Sequence, residues 1–72
     1  MTSSPLGLAR PRAESALQKS PIYELRNLEV REVDGALMIS GTVASFYHKQ
    51  LAQEAVRSVT DGVPLVNTIR VL

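Results

Sequence analysis

The pair Asp34-Gly35 lies between two runs of period-two alternation, and no other feature of the chain restricts its fold as much. Before the pair, Leu28 and Val30 alternate with Glu29 and Arg31; after it, Leu37, Ile39, Gly41 and Val43 alternate with Met38, Ser40 and Thr42. A period of two belongs to a strand with one buried face. An Asp-Gly loop suits the type I′ turn, which needs positive φ at both central positions. The pattern predicts an antiparallel hairpin turning at Gly35. Gly41 adds no packing inside the second strand, so it predicts a bulge or the close approach of another element, the following helix.

Ser45 then offers a hydroxyl to cap a helix. Leu51, Ala52, Ala55, Val56 and Val59 form an apolar stripe, and Lys49, Gln50, Gln53, Glu54, Arg57 and Ser58 occupy the opposite face. This predicts an amphipathic helix over about 46–60, closed by Gly62 as a left-handed cap, with Pro64 beyond. Leu65, Asn67, Ile69 and Val71 alternate with Val66, Thr68 and Arg70, giving a last strand at about 66–72. Upstream, Pro11 suits a first helical turn, Ala13, Ala16 and Leu17 recur at helical spacing, and Pro21 stops the run. A short helix is expected at about 11–19. Residues 22–26 show no clear period and read as a connection.

Residues 1–10 have no apolar periodicity and read as a disordered leader ahead of one domain over 11–72. The order is α-β-β-α-β. This α+β arrangement implies a three-stranded mixed sheet with two helices on one face, and the crossover into the last strand should be right-handed. The other face of the sheet would be open, which is the first functional clue.

Composition removes most chemistry. With 72 residues, one small domain is all the chain can build. It has no cysteine and a single histidine, His48, which excludes disulfides, thiol catalysis and the usual zinc sites. A net charge of +1 argues against a general nucleic-acid binder. The glycines form no phosphate loop, the acidic residues lack calcium-loop spacing, and no Ser/His/Asp set is credible beside one histidine. No catalytic residue, metal ligand or cofactor is therefore expected, and the chain reads as a non-enzymatic binding module. No apolar run approaches the ~20 residues of a membrane span, and no signal peptide is evident. A cytoplasmic location is expected if Met1 is the native start, and a periplasmic one if the chain is an excised fragment.

The surface candidates are few. Phe46 and Tyr47 stand together just after the cap, where they either insert into a lipid headgroup layer or, more commonly, shield the end of a small core. Lys49 and Arg57 lie on the polar face of the helix, a solvated face that also suits anionic lipid. His48 reads as a partly covered histidine at a helix start. Gly35, Gly41, Ser45 and Gly62 have structural roles of turn, close packing, cap and helix end.

The segment Leu28–Leu72 resembles the BON domain, a small bacterial module. The residues that carry the resemblance are Val30, Asp34-Gly35, Leu37-Met38-Ile39-Ser40-Gly41-Thr42-Val43, Ser45, Lys49, Ala52, Ala55, Gly62-Val63, Val66-Asn67, Ile69 and Val71. The resemblance implies the same α-β-β-α-β order and a module that attaches to phospholipid membrane surfaces or partner proteins, in some members under osmotic stress. The uncovered sheet face and the edge of the last strand suggest an alternative, a self-associating structural domain, and the resemblance adds, more remotely, potassium sensing. Two positions depart from the family pattern. Glu32 stands where an apolar residue is usual, so either the strand bulges and turns Val33 inward or the pairing ends early. His48 replaces an acidic residue that would complete a capping box with Ser45.

Overall fold

A computed structural model describes residues 7–60 and 62–72. Helix α1 spans Ala9–Gln18, with Leu8 as its N-cap and Lys19 as its C-cap. It starts two residues ahead of Pro11. The physical reason is a longer buried stripe than the sequence reading allowed: Ala9, Ala13 and Leu17, at i, i+4 and i+8, are all buried. Pro11 is harmless as the third helical residue, because the first intrahelical bond is donated by the next amide, Arg12 N to Leu8 O at 3.1 Å. Residues 1–6 of the expected leader lie outside the described residues, and Ala9 and Arg10 of that stretch belong to α1.

The connection is a 3₁₀ turn, Tyr23–Asn27, that places Leu25 in the core. Arg26 Nε donates to Ser20 O at 2.9 Å and fastens the chain reversal after α1. Strands β1 (Glu29–Val33) and β2 (Ala36–Ser40) form the hairpin, with Val33 opposite Ala36. Both turn residues have positive φ, 49° at Asp34 and 81° at Gly35, as a type I′ turn requires. Glu32 neither bulges the strand nor ends the pairing. It sits in register opposite Leu37, exposed near the tip of the hairpin, and Val33 completes the ladder.

The second long strand is interrupted. β2 gives way at Gly41 to β3 (Thr42–Val43), and the last strand divides into β4 (Leu65–Asn67) and β5 (Arg70–Val71). The two breaks coincide. β2 pairs in parallel with β4 and β3 with β5, Leu37 opposite Leu65 and Thr42 opposite Arg70, so the register is the same on both sides. Backbone bonds carry it through, from Thr68 N to Ile39 O, Arg70 N to Gly41 O and Leu72 N to Val43 O. The three-stranded sheet, ordered β1-β2-β4, thus bends into a two-stranded continuation.

Gly41 permits the bend, and its crowding partner is not the helix expected from the sequence. A Cβ at this position would lie 2.6 Å from Leu28 Cδ2, and the backbone holds φ at +136°. The close approach comes from the residue leading into β1, because that strand, not the helix, lies beside β2.

Helix α2 covers Phe46–Thr60 and crosses from β3 to β4. Ala52, Val56 and Thr60 are its buried residues. Gly62 follows it with φ +84°, and Val63 N bonds to Thr60 O. Both helices lie on one face of the sheet, over Val30, Leu37 and Ile39. On the opposite face, Arg31, Val33, Ala36, Met38, Ser40 and Val66 share one side by register, and none of them is buried.

Candidate functional site

The start of α2 is built from two elements distant in sequence. Ser45 caps it as the sequence indicates: its Oγ accepts the His48 amide at 3.1 Å. The acidic partner missing from position 48 is supplied by the 3₁₀ turn instead. Glu24 Oε1 accepts the Ala44 amide at 3.2 Å and lies 2.6 Å from His48 Nδ1. A carboxylate at a helix N-terminus is favoured by the dipole and by the amides that have no intrahelical partner there. The hydrogen bond from the His48 ring and, secondarily, the one from the Ala44 amide hold the Glu24 carboxyl below its ordinary value of 4.5.

This link gathers the aromatic residues. The chain has three, Tyr23, Phe46 and Tyr47, and none enters the core. They are 72%, 74% and 67% exposed. Tyr23 is bonded in sequence to Glu24 and Tyr47 to His48, so the Glu24–His48 contact fixes both tyrosines at one end of the molecule. Arg26 stands with its guanidinium carbon 6.0 Å from the centre of the Tyr23 ring. The ring centres of Tyr47 and His48 are also 6.0 Å apart, inclined at 40°.

Phe46 and Tyr47 therefore do not shield the end of the core, the commoner role expected for them. The interior is already closed by aliphatic side chains, and the first turn of α2 projects these two rings outward. Phe46 and Lys49 share a shallow groove of 350 Å³ with Gln50, Gln53 and Asn67. Asn67 is committed to the fold: its Nδ2 donates to Lys49 O and Gln53 Oε1, and its Oδ1 accepts the Ile69 amide. It fastens the β4–β5 bend to α2.

Of the four surface candidates read from the sequence, Phe46, Tyr47 and Lys49 come together at this end. Arg57 does not. It lies in a groove between the helices with Arg12, Ser15, Ala16, Lys19, Ser58 and Val59. Tyr23, Glu24 and Arg26 escaped the sequence reading because they occupy the stretch without periodicity. An acidic residue just before a hairpin is no signal in itself. The missing carboxylate at position 48 was one, since a capping box lacking its acid invites an acceptor from elsewhere.

Among the described residues there is no cluster of three or more His, Asp or Glu side chains that could hold a metal ion. No helix among them is long and apolar enough to cross a membrane. The site offers aromatic surface and a few cations, and it is suited to binding. No curated protein matches the chain. The family model of the BON domain matches residues 9–72, beginning where α1 begins. The chain belongs to the BON domain family.

Proposed function

We propose that this protein is a non-catalytic attachment module that docks reversibly on a phospholipid membrane surface through its aromatic end. Its BON domain supports the coarser reading, a binding module. The observation that carries the finer one is the exposure of Phe46 and Tyr47 on a fold with an aliphatic interior, with Lys49 beside Phe46 and Arg26 beside the exposed Tyr23. Amphipathic rings settle at the headgroup boundary, and cations nearby meet anionic lipid. Burying the two rings contributes about 1.5–3 kcal/mol each. A basic residue near an anionic surface adds about 1 kcal/mol. These magnitudes give loose, reversible attachment, not permanent anchoring.

Co-sedimentation with vesicles tests this reading. The protein should pellet with vesicles of phosphatidylglycerol and phosphatidylcholine, less with phosphatidylcholine alone, and the Phe46→Ser/Tyr47→Ser variant with neither. A folded wild type that ignores both vesicles removes the lipid reading.

The open sheet face supports a second reading, self-association, because Val33 and Val66 are exposed on the side that carries Met38. Sedimentation equilibrium decides it, since a monomer at millimolar concentration would rule it out.

A further inference from the structure

The groove between the two helices has a chemistry unlike that of the aromatic end. It is an open depression of 640 Å³, and three cations, Arg12 and Lys19 from the α1 side and Arg57 from α2, line it together with the hydroxyl-bearing Ser15 and Ser58. Among the described residues, none that lines it is acidic. Each helix has one acidic residue, and both are engaged elsewhere: Glu14 pairs with Arg10 at 3.4 Å, and Glu54 Oε2 accepts from the Gln50 side-chain Nε2. None of the three cations takes part in an ion pair among the described residues. Three of the eight basic residues of a chain with net charge +1 thus converge on one depression.

Helix dipoles account for part of this arrangement. Lys19 is the C-cap of α1 and Arg57 lies in the last turn of α2, where cations are favoured. Arg12 is not explained in this way, since it is the fourth residue of α1, near the positive end. The opposing charge is also too small to neutralise the groove. Two helix C-termini supply about half a negative charge each, against three full positive charges.

We propose that this groove binds a phosphate group. Guanidinium forks on facing helices suit a tetrahedral anion with three or four oxygens, whereas a carboxylate, with two oxygens in one plane, is satisfied by a single fork. Ser15 and Ser58 stand at the same walls; the Ser58 hydroxyl gives its proton to Ala55 O at 2.8 Å, so the cations are the groups that would hold the anion. The groove is shallow, so only the phosphate is held, and its source is either a free phosphate compound or a phosphomonoester lipid headgroup. The inference stands apart from the aromatic end and does not depend on it.

The test is a titration of the labelled protein with inorganic phosphate, followed by amide NMR shifts at constant ionic strength. Saturating shifts are expected at Arg12, Ser15, Lys19, Arg57 and Ser58, with chloride producing none. Arg57→Gln and Arg12→Gln alter exposed residues and leave the fold intact; each should weaken binding about tenfold, the share of one charge-assisted contact. Lys49→Gln, outside the groove, should leave it unchanged, and so should Phe46→Ser/Tyr47→Ser, which separates this result from the membrane reading. Competition by inorganic phosphate against phosphatidic acid vesicles identifies a headgroup source, and phosphate binding without such competition identifies a soluble one. Absence of groove shifts, equal shifts with chloride, or unaltered binding by both arginine variants would overturn the proposal.

Discussion

The interior of this protein is built from aliphatic side chains, with Leu17, Leu25, Leu37, Ile39 and Val56 enclosed, whereas Tyr23, Phe46 and Tyr47 all stand in solvent at one end. Small domains ordinarily place their aromatic rings inside, where each buries more area than any aliphatic residue. Here the two kinds of apolar side chain are separated. Aliphatic residues hold the fold and aromatic residues meet the outside, so substitutions of the rings should leave stability untouched, and interior substitutions should act on binding only through folding.

The largest effect should come from the interior. Leu37→Ala removes a fully enclosed side chain from the strand shared by both pairings and should cost about 2–5 kcal/mol. A chain of this length has about 4–11 kcal/mol in total, so a urea titration should find the variant near the edge of folding. If Leu37→Ala costs as little as a surface change, the division between the two regions fails.

The boundary between the regions is Ser45, and its replacement should have an intermediate effect. Ser45→Ala leaves the His48 amide without its cap and should cost about 1 kcal/mol, read as a lower urea midpoint. Glu24 sharpens the comparison through pH. Its carboxyl titrates lower in the folded protein than in the unfolded chain, so it favours folding while ionised. That contribution is present above its ordinary value of 4.5 and disappears as pH falls through the lower folded value. Urea midpoints of wild type and Glu24→Gln should therefore differ at neutral pH and converge in acid. A constant difference across this range would mean that Glu24 acts by packing alone.

The smallest effect should come from the aromatic end. Phe46→Ser/Tyr47→Ser should shift stability within about 0.5 kcal/mol while abolishing vesicle binding. A large loss of stability on the same substitutions would show that the rings belong to the core.

Much of the fold was legible in the sequence, and its limits have physical causes. The hairpin, the cap at Ser45 and α2 could be read because each rests on a local rule: an Asp-Gly loop, a side-chain hydroxyl, a helical stripe. The start of α1 was misplaced because alanine is a weak apolar marker, and Ala9 revealed its role only by packing. Gly41 announced a close contact but could not name the neighbour, since that depends on which element lies beside β2. The candidate site was half legible. Phe46, Tyr47 and Lys49 are neighbours in sequence, but Tyr23, Glu24 and Arg26 reach them through a link that spans more than twenty positions. Arg57 could not be separated from Lys49 on one helical face, and only the packing of α1 against α2 assigned it to another groove.

The continuous parallel register has a consequence for the order of assembly. The β1–β2 hairpin closes over two residues, an inexpensive loop in entropy, and it can form early. The ladder between β2–β3 and β4–β5 cannot exist until all of α2 has been wound and laid across the sheet. Since both halves of that ladder share one register, a slip at Leu65 would carry through to Val71, and the two short segments dock together or not at all. The last strands thus behave as one unit, tied to the rest of the ladder through β2 and β3 and to the core through Ile69.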